Sequence, residues 1–227
     1  MRPVVVSVGG SILADAPERP TFLRDLAACL RDVSRRSRLL VTAGGGPTAR
    51  AYIAAGRALR IPEKALDLVG IRATRLNAQL LAAALGRTAN PEIPATERAA
   101  LRLSTKHPIT VMGGTSPGWT TDAVAVRLAV MAKASHLVNA TSVDGVYTAD
   151  PKRDPSARRL DRVTFRDLVR LVGTKHERAG PNVVFDPVAA KLVARHRLPV
   201  YVVDGRDLRN LRAALLDKPF RGTRVGP

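Results

Sequence analysis

Three short apolar runs, Val4–Val8, Leu39–Ala43 and Ile109–Met112, each end in a cluster of glycines: Gly9-Gly10, Gly44-Gly45-Gly46 and Gly113-Gly114. Runs of this length and β-branched content read as buried strands. Between them the apolar residues change period. Phe22, Leu26, Cys29, Leu30 and Val33 recur at helical spacing and predict a helix over 21–36, and a second is predicted over 62–85, stopped by Gly86. Pro47 suits the first position of a further helix. A helix over 121–134, a strand over 136–140 and a strand over 199–203 continue the alternation, with a polar loop over 141–156. Thr164 is expected to cap a short helix ending at Gly173, Asp186-Pro187 to open one reaching His196, and Asp207 to cap a last one to Leu216. Strands that alternate with helices need a sheet covered on both faces. The expectation is an α/β fold, a three-layer αβα sandwich with a largely parallel central sheet.

Apolar residues, 45% of the 227, are spread along the whole chain without linker or repeat, so residues 1–227 are read as a single domain. No apolar run approaches the roughly 18 residues that span a bilayer. The lone Cys29 cannot form an internal disulfide and falls on the apolar face of its helix, which points to the cytosol. His107, His136, His176 and His196 show no metal-ligand spacing, so no protein metal centre is expected. The excess of 37 lysines and arginines over 19 acidic residues gives a net charge of +18. Such a field draws in any phosphorylated ligand. It also keeps nucleic acid in view as a partner, although only 4% of residues are aromatic and the arginines are dispersed.

Glycine lets backbone N–H groups approach an anion closely, and a helix that follows adds the positive end of its dipole. None of the three turns matches G-x-x-x-x-G-K-[ST], and no spaced G-x-G-x-x-G follows the first strand. Three turns converging on one crevice suit two phosphorylated ligands lying end to end, the geometry that in-line phosphoryl transfer needs.

The residues resemble a known family. Gly9-Gly10-Ser11, Gly44-Gly45-Gly46 with Arg50, and Asp67-x-x-Gly70-Ile71-x-Ala73-Thr74-Arg75-x-Asn77-Ala78 are similar to the amino-acid-kinase superfamily. Gly113-Gly114-Thr115-x-Pro117-Gly118-x-Thr120-Thr121-Asp122 resembles its uridylate-kinase branch in the archaeal style. Val143-Asp144-Gly145-Val146-Tyr147-x-x-Asp150-Pro151, and the tail Asp204-Gly205-Arg206-Asp207 with Gly222-Thr223, are similar too, so the likeness runs the length of the chain.

The resemblance implies a cytoplasmic, ATP-dependent UMP kinase of pyrimidine nucleotide biosynthesis, with Mg²⁺ accompanying ATP and a hexamer assembled from dimers. It implies that UMP lies against Gly45, Asp67 and the loop Thr115, Ser116, Pro117, Gly118, Trp119, Thr120 and Thr121. ATP would lie against Gly9, Gly10, Gly46, Arg50, Thr141, Ser142, Tyr147 and Asp150. The N-terminal part would thus hold the acceptor and the C-terminal part ATP. Chemically, Asp67 can accept from ribose hydroxyls, Thr120 and Thr121 can donate to phosphate or base, and Tyr147 can pack on adenine. Trp119 can stack on uracil or wedge into a subunit contact. Arg50 and Asp122 are the candidate catalytic residues, the first by multidentate phosphate contact, the second by orienting Mg²⁺ or the phosphates or by stabilising a helix dipole. Arg72 and Arg75 face either substrate or subunit. The family pattern often has Lys or Asp where Ser7 stands, and Asn or Lys near Ser142, which here shifts charge stabilisation onto Mg²⁺, Arg50 and backbone amides. The rival readings are a kinase of the same fold with another small phosphate or carboxylate acceptor, and a nucleic-acid-binding regulator on a retired kinase fold.

Overall fold

The computed structural model describes residues 2–14, 20–149, 154–173 and 185–227. The strands are β1 (Val4–Val8), β2 (Leu39–Ala43), β3 (Ile109–Met112), β4 (Leu137–Thr141), β5 (Val146–Tyr147), β6 (Arg159–Leu160), β7 (Arg162–Thr164), β8 (Val200–Asp204) and β9 (Thr223–Gly226). The helices are α1 (Gly10–Ala14), α2 (Pro20–Ser34), α3 (Gly46–Ala58), α4 (Glu63–Leu85), α5 (Glu97–Leu103), α6 (Thr121–Met131), α7 (Phe165–Val172), α8 (Pro187–His196) and α9 (Leu208–Leu215).

Seven strands form one sheet in the order β3-β2-β1-β4-β8-β9-β7. The first five are mutually parallel, as expected. β9 runs antiparallel against β8, and β7 pairs with it in parallel at the edge. β5 and β6 make a separate antiparallel ribbon. No described helix is long and apolar enough to cross a membrane.

Successive side chains of a strand point to opposite faces. Val4, Val6 and Val8 therefore pack with Leu26 and Leu30 of α2, Leu81 of α4 and Leu211 of α9, while Val5 packs on the other face with Val124 and Leu128 of α6 and Val193 of α8. The same parity turns Ser7 toward α6, which matters at the site. The chain steps from β1 outward to β2 and β3, then returns across β1 to lay β4 on its other side. In open α/β sheets such a reversal opens a crevice beyond the carboxyl ends of the strands. All three glycine clusters leave from that rim.

Candidate active site

The turns after β1 and β2 lie backbone on backbone. A Cβ added at Gly10 would sit 2.0 Å from the amide nitrogen of Gly46, and one added at Gly46 would sit 2.2 Å from the carbonyl oxygen of Gly10. Gly46 also has φ +58°, a left-handed conformation that favours glycine. The third cluster packs on α4: the amide of Gly114 donates to Thr74 Oγ1 at 2.7 Å, and the Thr74 hydroxyl donates to the carbonyl of Ile71. Close packing of one turn on the next thus accounts for the glycines at Gly10 and Gly46 independently of any ligand. It also brings the turns together, as the clustering predicts.

A cleft of about 620 Å³ opens between α3, α4 and the loop from β3 to α6. Of the expected acceptor residues, Gly45, Asp67 and Ser116 through Thr121 line it. Thr115 does not; its hydroxyl oxygen is buried, without a hydrogen-bond partner among the described residues. Gly46 and Arg50, expected beside ATP, line this cleft instead. Arg50 is exposed, and among the described residues it forms no ion pair. α3 begins at Gly46 with Gly45 as its N-cap and no side-chain cap, so the first-turn amides at the cleft have no side-chain acceptor.

The loop is tied down from several directions. Asp67 Oδ2 accepts the amide of Gly118 at 2.8 Å, so one of its carboxylate oxygens shapes the cleft while the other remains for a ligand. Arg75 donates to the carbonyls of Gly114, Thr115 and Ala95, which assigns it to the loop rather than to substrate or subunit. Burial, and then the neighbouring charge of Arg72, lower its pKa. Thr120 Oγ1 accepts the amide of Ala123 as the N-cap of α6 and gives its proton to the Asp186 carboxylate. The expectation that Thr120 donates to a ligand is therefore corrected: its single proton is engaged, and a lone pair is what it offers. Thr121 lines the cleft, and among the described residues its hydroxyl makes no hydrogen bond.

Asp122 follows in the first turn of α6. Its Oδ1 accepts the Ser7 hydroxyl at 2.8 Å. Burial pushes the Asp122 carboxyl up to about 6; the Ser7 hydrogen bond works against the rise, and the charge of Asp186 adds to it. Ser7 is buried in register with Thr42 on β2 and Asn139 on β4, a polar row beneath α6. The position at which the sequence leaves a cation missing is thus a hydrogen-bonding support for Asp122.

On the other side of β1 a second pocket of about 370 Å³ lies between the loop after β4 and the loop after β8. Ser142 and Tyr147 line it as expected, with Asp144, Asp204, Arg206 and Asp207, and with Asn210 and Arg221 from α9 and beyond. The Tyr147 hydroxyl donates to Asp144 at 2.7 Å, while Arg159 and Arg221 reach the other carboxylate oxygen. Burial by itself would raise the Asp144 carboxyl, but the Tyr147 hydroxyl and the two guanidinium groups hold it below its ordinary value. Arg206 bridges Asp204 and the carbonyl of Ser142, joining the two loops. Thr141 sits beneath, its carbonyl accepting the Gly205 amide, and does not line the pocket. Gly9 and Gly10 line neither pocket and sit on the rim between them, the Gly9 amide bound to the carbonyl of Ala140. Asp150 lies outside the described residues.

Asp144, Asp204, Arg206 and Asp207 stand inside blocks readable in the sequence, but none is read there as a ligand contact. Asn210 and Arg221 carry no sequence signal; a two-way hydrogen bond between the Asn210 side chain and the Arg221 backbone brings them together. Among the described residues, no group of three or more His, Cys, Asp or Glu side chains is placed to hold a metal.

Comparison with known proteins gives the family. Residues 2–204 match the model of the amino acid kinase family. The chain is 41% identical over 222 residues to a uridylate kinase from Methanococcoides burtonii, covering 98% of this chain and 94% of that protein. It is 46% identical over 204 residues to one from Methanosarcina acetivorans, covering 90% and 87%. The crystal structure of uridylate kinase from Archaeoglobus fulgidus superposes with a TM-score of 0.89 at 41% identity, over 99% of this chain and all of that one. The chain belongs to the amino acid kinase family.

Proposed function

We propose that this chain moves the γ-phosphoryl group of ATP directly to UMP, giving UDP for pyrimidine nucleotide biosynthesis. The observation that carries the reading is the pair of pockets flanking the β1 turn on one rim of the sheet: the nucleotide-sized cleft at α3 and the loop after β3, and the pocket at β4 and β8. UMP occupies the first, with its phosphate at Arg50 and the amide end of α3, and ATP occupies the second. The acceptor half and the donor half then belong to one domain, as the continuous sheet supports.

An ionised phosphate is already a nucleophile, so the protein's part is alignment and charge neutralisation. Arg50 is free of carboxylate partners among the described residues and supplies a planar fork for phosphate oxygens. Asp122, set beside Asp186 and fixed by Ser7, is the carboxylate that orients the reacting phosphates or their cation. Mg²⁺ arriving with ATP would be held beside Asp122 and would supply neutralisation of the phosphate charge. The donor set fits that role: an Mg²⁺ that rides on phosphates needs one or two carboxylates rather than a complete protein cage, and two acidic groups close enough to raise a pKa are stabilised by a cation. The enzyme works in the cytosol, in keeping with a chain whose one cysteine has no partner, and assembles from dimers into a hexamer through the apolar face of α3 and α4.

A coupled ADP-release assay with UMP, CMP, dUMP, isopentenyl phosphate and acetylglutamate tests the reading. UMP should give the highest kcat/KM, and turnover of another acceptor with none for UMP would overturn it. Arg50→Ala should lower kcat/KM for UMP by about 10²–10³-fold with an unchanged melting temperature, the usual loss for one such electrostatic contact.

A further inference from the structure

Trp119, the chain's one tryptophan, stands near the end of the loop that enters α6 and lines the acceptor cleft, 36% exposed. Its ring is not left to choose a position. The guanidinium carbon of Arg127, on α6, lies 4.4 Å from the indole centroid. Arg127 is itself held from behind, its Nε 3.2 Å from Glu97 Oε1. Glu97 is the first residue of α5, where the helix dipole favours a carboxylate, and its side chain is 6% exposed. The Glu97 oxygen makes an ion pair without a well-directed hydrogen bond, so charge anchors the guanidinium over the indole. The other cation–π contacts among the described residues fall on Phe165, Tyr201 and Phe220, none of which lines the cleft.

We propose that Arg127, anchored by Glu97, is the positioning residue that fixes Trp119 as the base-facing wall of the acceptor cleft. An indole has two faces; the guanidinium covers one, and the other is left for a planar ligand. A cation over one face of tryptophan restricts its rotamers, so the entropy of ordering the ring is lost before the acceptor arrives rather than on binding. Without Arg127 the ring must be ordered by the nucleotide itself. The consequence falls on acceptor affinity and leaves the phosphoryl-transfer step alone. The inference rests on the kinase reading for its ligand, while the clamp itself is testable without one.

The experiment combines steady-state kinetics of the full chain with acrylamide quenching of the single tryptophan in nucleotide-free protein. Arg127→Met should raise KM for UMP roughly 3- to 10-fold, the order expected for one newly freed side chain, with kcat and KM for ATP within about twofold. Arg127→Lys, which keeps a cation over the ring and beside Glu97, should recover most of the loss. In a Trp119→Ala background the same Arg127→Met change should have no further effect, the non-additivity of two groups acting as one. The Glu97→Gln/Arg127→Met pair leaves no unpaired buried charge and should behave as Arg127→Met does, which separates the clamp from a folding defect. Quenching should be more efficient in Arg127→Met than in the parent. An unchanged KM for UMP, an equal loss with and without Trp119, or a fall in kcat at constant KM would overturn the proposal. If the parent protein does not phosphorylate UMP, the kinase reading fails, and the quenching comparison still decides the clamp: greater exposure of Trp119 supports it, and unchanged quenching refutes it.

Discussion

Asp122 shows how one residue can be held at a cost to the fold. The first turn of α6 favours a carboxylate, yet burial pushes the group from an ordinary 3.8 up to about 6, with the Ser7 hydroxyl opposing the rise and Asp186 adding to it. The native protein therefore binds this proton more tightly than the unfolded chain does. Its contribution is fully present below about pH 4 and is lost as pH rises toward and through 6, by up to about 3 kcal/mol. A phosphate-bound cation would offset that penalty, which gives a reason to retain the charge beside the site. Asp122→Asn should accordingly be more stable than the parent at pH 7.5 by about 1–3 kcal/mol and nearly equal to it at pH 4, while kcat falls by about 10²-fold. Urea unfolding of both proteins at the two pH values decides the stability half, since a constant gap between them would contradict the assignment. Thr120 teaches a related lesson. Its hydroxyl was readable as a ligand contact, but the partner that takes its proton, Asp186, lies 66 positions away and could not be inferred from local pattern.

At the scale of elements, what was readable followed a period or a cap. β1, β2 and β3 fall where the apolar runs predict them, and β4 and β8 within a residue at each end. α7, α8 and α9 open at Thr164, Asp186 and Asp207, each of whose side chains accepts a backbone amide of the first turn. The segments not predicted, α1, α5, β5, β6, β7 and β9, are too short to show a period and are made by tertiary partners. Thr223 of β9, for example, takes the amide of Val146 and donates to the carbonyl of Leu160. α6 ends at Met131 rather than at 134 because Lys133 adopts a left-handed φ of +50°. The glycine clusters were legible as turns, but not the reason for each glycine. Gly10 opens α1, where propensity alone would favour alanine. Gly10→Ala should nevertheless destabilise the protein by about 1–3 kcal/mol, because the added methyl has only the backbone of Gly44 and Gly46 to displace. Gly118, with φ +80° and open space around its Cα, should lose only about 1 kcal/mol on the same change, from backbone strain alone. Thermal melts of the two variants should rank them in that order; equal melting temperatures would mean that the two turns separate easily.

For the whole molecule, the net charge of +18 and the two pockets on one rim bear on the proposed ligand capture, and the exposed apolar side chains of α3 and α4 bear on the proposed assembly. Leu68, Leu76 and Leu80 fall within one arc of α4 and are 53%, 63% and 42% exposed; Tyr52 of α3 and Leu59, just past its end, are 65% and 75% exposed. α3 and α4 pack on each other beside the cleft, and these exposed apolar side chains stand on or next to the pair. Scattered apolar residues on a surface need no explanation; a group of five on or beside two packed helices is the surface through which assembly is proposed. Arg72 is exposed on the same arc of α4, whereas Arg75 turns to the acceptor loop, so the two arginines left undivided by the sequence have separate duties. Asp67 and Arg75 hold the acceptor loop from the same helix that carries the exposed leucines. Burying that surface against a second copy would fix the helix along its length and, with it, the loop it holds. Leu68→Glu/Leu76→Glu should therefore sediment as a smaller species than the parent, and in its dissociated state should show a several-fold higher KM for UMP with KM for ATP unchanged. Sedimentation velocity on both proteins, followed by kinetics at the same concentrations, gives the answer. A parent that already sediments as a monomer would remove the interface, and a dissociated variant with unaltered KM for UMP would separate assembly from the cleft.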